Sequence, residues 1–157
     1  MGYDMSVVDS NGQRVQCEND YWRRNIWGAS RQADRLVGLG IAYWHDDAAL
    51  PGPWPEIPEG AARTADGELW DDETEQWVDP RYRQTILDHV RQTGGERPGI
   101  AAYKLVHSND GWWVTKAECV SALELWEKAG KPDWDLGLND LEPFLRAAAE
   151  HDGFRVW

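Results

Sequence analysis

Residues Ser108-Asn-Asp-Gly-Trp-Trp-Val-Thr-Lys-Ala-Glu-Cys-Val-Ser-Ala-Leu-Glu-Leu-Trp126 pass from turn to strand to helix, and that passage sets the fold class. Ser108 to Gly111 reads as a hairpin turn that joins an apolar strand over 100–107 to a short strand at Trp112-Trp113-Val114. Thr115 and Glu118 then stand at capping-box spacing, where a hydroxyl and a carboxylate satisfy free amides of a first helical turn. Behind them Cys119, Ala122, Leu123 and Trp126 recur at the 3.6-residue period of a buried stripe.

The same reading extends in both directions. Downstream, a helix starts near Asn139 or Asp140, tolerates Pro143 in its first turn, and buries Leu141, Phe144, Leu145 and Ala148. After Gly153, Phe154 to Trp157 reads as a terminal strand. Upstream, residues 3–8 form a strand, Asp9 to Gly12 a turn, and Arg14 to Cys17 the returning strand. Asn19 or Asp20 then caps a helix to about Leu39, with Trp22, Ile26, Ala29, Ala33, Leu36, Val37 and Gly40 on its inner face. Arg24, Arg31 and Arg35 form a basic row on the outer face. Asp79-Pro80 opens another helix to about Gln92, stopped by Gly94-Gly95, with Tyr82, Ile86, His89 and Val90 inward. About four helices on short, mainly antiparallel strands, without a βαβ alternation, give a single α+β domain over residues 1–157.

Composition alone points the other way. Leu, Ile, Val and Phe supply only 29 of 157 residues, and the net charge is −12, a combination typical of disordered chains. Eleven Trp and five Tyr reverse that inference, since each large aromatic buries ~150 to 250 Å². The charge is also concentrated. Residues 43–79 hold eleven acids (Asp46, Asp47, Glu56, Glu59, Asp66, Glu68, Asp71, Asp72, Glu73, Glu75, Asp79) against Arg63 alone. Pro51, Pro53, Pro55 and Pro58 break any period there, so 43–79 reads as a long acidic insertion carrying Trp44, Trp54, Trp70 and Trp77.

Several classes fall away. No run approaches the ~18 apolar residues of a membrane span, and Met-Gly-Tyr-Asp-Met lacks the pattern of a signal peptide, so the expected location is cytoplasmic. Cys17 and Cys119 are too few for a disulfide scaffold. The acidic balance disfavours direct nucleic-acid binding, which needs clustered bases. Aligning Gly111 with the glycine of a calcium loop puts Val106 first and Ala117 twelfth, where oxygen ligands are required. Trp44-His45-Asp46-Asp47 carries a weak metal signal in His45, Asp46 and Asp47, which His107 and His151 could join only where the fold brings them close; solvated loop acids are the simpler reading, and no metal or cofactor is expected. No nucleophile elbow, P-loop, dinucleotide fingerprint or zincin helix is present, so nothing names a reaction. Trp112 and Trp113 alternate across their strand, which leaves one indole, Trp112 by this reading, as an exposed binding candidate.

The stretch Lys104 to Glu118 and the ending His151-Asp-Gly-Phe-Arg-Val-Trp157 resemble segments of small bacterial or phage-type proteins without an established activity. The resemblance covers the C-terminal third and implies a shared fold element, with no site residue carried over. The residues therefore favour a non-enzymatic module that binds a basic protein, as an inhibitor, immunity or anti-defence protein masks a nuclease. Its expected contact set is Trp70, Asp71, Asp72, Glu73, Glu75 and Trp77, with Arg24, Arg31, Arg35 and Trp112 as secondary candidates. The alternative is a small enzyme or ligand-binding domain with a Trp-lined pocket near His45.

Overall fold

The protein is α+β in a computed structural model that describes residues 2–44, 50–92, 97–132 and 141–157. It divides into two compact units: Met1–Leu50 together with Thr93–Trp157, and the intervening Pro51–Gln92.

The first unit is built on a four-stranded antiparallel sheet of order β2-β1-β8-β7, formed by β2 (Tyr21–Asn25), β1 (Gly2–Val7), β8 (Phe154–Val156) and β7 (Trp112–Val114). Tyr3, Met5 and Val7 alternate inward along β1, and Phe154 and Val156 do so along β8, so one face presents a continuous apolar surface. Against it pack α1 (Ile26–Gly38), α4 (Lys116–Lys128) and α5 (Leu141–Glu150). The buried stripes of α4 and α5 are the ones their sequences specify: Cys119, Ala122, Leu123 and Trp126, then Leu141, Phe144, Leu145 and Ala148. Thr115 and Glu118 close the capping box of α4 reciprocally. A second, two-stranded parallel pair joins β3 (Ala42–Tyr43) to β6 (Ile100–Ala101).

Four expectations are corrected. Residues Tyr21–Asn25 are a strand, and the helix begins only at Ile26, with Asn25 as its N-cap accepting from the Gly28 amide at 2.7 Å. Asn19 and Asp20 have the same capping chemistry, but Tyr21 to Asn25 pair residue for residue with β1, which holds them extended and leaves the later cap to act. Because β2 occupies that edge, the stretch after the Asp9–Gly12 turn makes only the isolated Val8–Arg14 bridge and no strand at Arg14 to Cys17. Residues 100–107 split into β6 and a helical turn, α3 (Tyr103–Val106). No hairpin forms across Ser108–Gly111, since β7 pairs with β8.

The second unit contains β4 (Trp70–Asp71), β5 (Gln76–Trp77) and α2 (Pro80–Arg91). It takes the helix after the acidic stretch as part of its body. Asp79 caps α2, accepting from the amides of Arg81 (2.9 Å) and Tyr82 (3.1 Å) and, through its other oxygen, from Ala62 (2.9 Å). Tyr82, Ile86, His89 and Val90 are buried, as their spacing requires. Among the described residues no helix is long and apolar enough to cross a membrane.

Candidate functional site

Residues 64–78 of the acidic stretch form a folded hairpin. Thr64 and Glu68 close a turn through Thr64 N to Glu68 O at 2.8 Å and Glu68 N to Thr64 Oγ1 at 3.0 Å, and the Val78 amide bonds Leu69 O at 2.8 Å to bring β4 and β5 together. Trp70 and Trp77 are directly opposite in register and meet edge to face, with ring centroids 5.3 Å apart. Trp77 continues edge to face onto buried Tyr82 of α2 at 5.0 Å. This aromatic ladder ties the hairpin to the helix, and edge-to-face pairs of this kind add ~0.5 to 1.5 kcal/mol each beyond area burial.

The carboxylates divide into two roles. Asp71 faces the turn and accepts from the Glu73 amide at 2.9 Å; the Thr74 hydroxyl and that amide hold its carboxyl below the ordinary range. Asp79 is also structural, its carboxyl held well below the ordinary range by the Arg81 guanidinium and the Ala62 amide. Asp72, Glu73 and Glu75 are exposed at the tip, with Glu75 in a left-handed conformation (φ 51°) that turns the chain back into β5. The result is three exposed acidic side chains on a short, braced loop, flanked in the chain by half-buried Trp70 and Trp77. Trp54, in the Pro-rich approach, stands 38% exposed and packs edge to face on His89 at 4.9 Å. Burial lowers the pKa of that imidazole, which suits a neutral ring in an aromatic contact.

Other candidates fare differently. The three-arginine helical row does not exist, because Arg24 lies on β2; Arg31 and Arg35 remain exposed one turn apart on α1. Trp112 is not an exposed indole. Its side chain donates to Ser108 Oγ at 2.8 Å and packs on Tyr103 at 5.5 Å, while Trp113 donates to Asp152 O at 2.7 Å, so both rings are buried on opposite sides of β7. His45, Asp46 and Asp47 lie outside the described residues. Among the described residues no three His, Cys, Asp or Glu side chains are grouped to hold a metal.

Two features go beyond the sequence expectations. Lys104 is fully buried, with Nζ 2.5 Å from Glu118 Oε1 and 2.7 Å from Trp113 O. Burial pushes the ammonium below its usual range against the opposing pull of Glu118, whose second oxygen accepts from the Ala101 amide at 3.0 Å. Nothing local signals a partner fourteen positions away. The other feature is Trp27, 78% exposed in the first turn of α1; its signal was legible, since Trp27, Arg31 and Arg35 recur every four residues on the face opposite the buried stripe.

No protein-family model matches this chain, and no curated protein or solved structure does so either.

Proposed function

We propose that the protein is a non-catalytic binding module whose second unit offers its hairpin tip to a basic protein surface, in the manner of an inhibitor or immunity protein that masks a nuclease. The observation that carries this reading is the braced tip: Asp72, Glu73 and Glu75 are exposed on a turn that Asp71 caps and the Trp70–Trp77–Tyr82 ladder holds. Charges fixed in advance on a rigid loop steer a basic partner and take the place of phosphates without the ordering cost of a disordered acidic tail. The half-buried faces of Trp70 and Trp77 supply apolar contact beside them.

The division of labour among the acids defines the test. A partner is captured from native cell extract at low salt, and its association with the wild type is compared with that of a variant carrying Asp72→Asn, Glu73→Gln and Glu75→Gln. Asp71 is left intact because it caps the turn. The variant should associate more slowly, with the difference shrinking as salt shortens the ~10 Å Debye length of 0.1 M. Equal association rates at low salt would remove the hairpin as the recognition element.

A further inference from the structure

Pro51-Gly-Pro-Trp-Pro-Glu-Ile-Pro58 opens the second unit with proline at four of eight positions. A proline ring fixes its own φ at about −65° and its crowding keeps the residue before it extended. Along 53–58 this leaves Glu56 as the one position that proline does not constrain, because Trp54 and Ile57 each precede a proline. The prolines carry no amide hydrogen to give a helix or a sheet, and the segment forms neither. The backbone these restrictions select is the polyproline II helix, with three residues per turn and its peptide groups in water. The Pro58 carbonyl accepts from the Ala61 amide at 3.1 Å in the turn that ends it.

Burial follows the period of three. Pro55 and Pro58 are half-buried, whereas Trp54, Glu56 and Ile57 are exposed. On a threefold helix Pro55 and Pro58 share one edge, Trp54 and Ile57 a second, and Glu56 stands on a third. The proline edge is therefore the one turned toward the unit, and the Trp54–Ile57 edge is open, at 38% and 49% exposure. Trp54 is braced from one side by His89, edge to face at 4.9 Å, which limits its freedom before any partner arrives. A rod already stiffened by proline loses little conformational entropy on docking. Apolar side chains one turn apart on such a rod are read by grooves lined with aromatic rings. Glu56 beside this edge, and Glu59 just past the segment, are both exposed and favour a groove with a basic rim.

We propose that residues 53–58 are a docking segment for a protein domain whose aromatic-lined groove reads polyproline II helices, with Trp54 and Ile57 as the anchors. None of the hairpin-tip acids takes part, so the segment is tested independently of the tip. The test titrates the full chain into purified, isotope-labelled Src-homology 3 and WW domains, one at a time, and follows the amide and indole resonances of each domain. At least one domain should shift saturably at its aromatic groove, and a proline-rich peptide that occupies the groove should compete. Ile57→Ala should weaken binding by about tenfold, the loss of one buried anchor, while its urea midpoint stays at that of the wild type because the side chain is half in water. Trp54→Ala should weaken binding at least as much, and Trp54→Phe, which keeps a ring against His89, should recover part of the loss. Absence of a saturable shift in every domain at millimolar chain overturns the proposal, and so does binding that neither alanine variant weakens. Self-association of the chain that Trp54→Ala abolishes, without binding to any domain, would assign the edge to a second copy and also reject it.

Discussion

Replacing Lys104 by Met should cost the first unit about 3 kcal/mol, and the structure sets that figure. The ammonium is fully buried and its partners include Glu118 Oε1 at 2.5 Å and Trp113 O at 2.7 Å, while the Glu118 side chain is 6% exposed. Breaking a buried pair by removing one member costs ~3 to 5 kcal/mol, because the other charge is stranded. Methionine preserves most of the stem volume, so little cavity is added. Glu118 keeps the amides of Ala101 (3.0 Å) and Thr115 (3.1 Å), which places the loss at the low end of that range. Glu118→Gln is the harsher change: it removes the counter-charge and leaves the buried ammonium with neutral acceptors, and about 4 to 5 kcal/mol should be lost. The double variant strands neither charge, so its cost should fall short of the sum by at least about 2 kcal/mol. Urea unfolding followed by Trp fluorescence measures all three, and thermal melting should place the lysine variant about 6 to 12 °C below the wild type. A loss under about 1 kcal/mol for Lys104→Met, or strict additivity in the double variant, would refute the sealed pair.

Two further outcomes follow from the backbone and from Asp79. Gly153 adopts φ 88°, and a Cβ there would collide with the Val114 carbonyl oxygen, so Gly153→Ala should destabilise by more than the ~1 kcal/mol of an unstrained glycine replacement, measured by the same urea titration. The depressed carboxyl of Asp79 stabilises the second unit fully above the unfolded carboxyl pKa of ~3.9, and that contribution is lost as the pH falls through the folded value. Near-UV circular dichroism of the Trp70–Trp77 pair should therefore decline below about pH 4 in the wild type, and Asp79→Asn should be weaker at neutral pH with a flatter acid response; an unchanged acid profile in that variant would locate the titration elsewhere.

The parts of the fold that were legible are those fixed by neighbours in the chain. Asp79-Pro80, Thr115 with Glu118, and the stripes of α4 and α5 are local signals, and each element stands where they place it. The parts that were not legible depend on pairing between distant segments. Asn19, Asp20 and Asn25 offer equivalent caps, and the choice among them is made by β1 claiming residues Tyr21–Asn25. Likewise the Ser108–Gly111 turn has hairpin residues, yet β7 is taken by β8 from the far end of the chain. The charge of the hairpin tip was readable from composition, whereas the difference between structural Asp71 and exposed Asp72 required the turn itself.

Tryptophan replaces the missing aliphatic core here at a geometric cost that sharpens the meaning of the exposed indole. A buried indole must place its N–H, and three do so: Trp112 on Ser108 Oγ, Trp113 on Asp152 O and Trp126 on Pro132 O, at 2.7 to 2.8 Å. Each bond fixes a ring to a particular loop, so a core of this kind tolerates fewer arrangements than one of leucines. Trp27 stands apart from that pattern. With 78% of it in water, it forgoes roughly 4 kcal/mol of burial on an area of ~200 Å². A lone exposed apolar residue is ordinary on a protein surface. Trp27 is the large apolar side chain among outward positions of α1 where Ser30, Arg31, Asp34 and Arg35 are polar. Trp27→Ala should therefore leave stability within about 0.5 kcal/mol of the wild type in urea unfolding, as surface substitutions do. A large loss of stability would instead assign the indole to the fold.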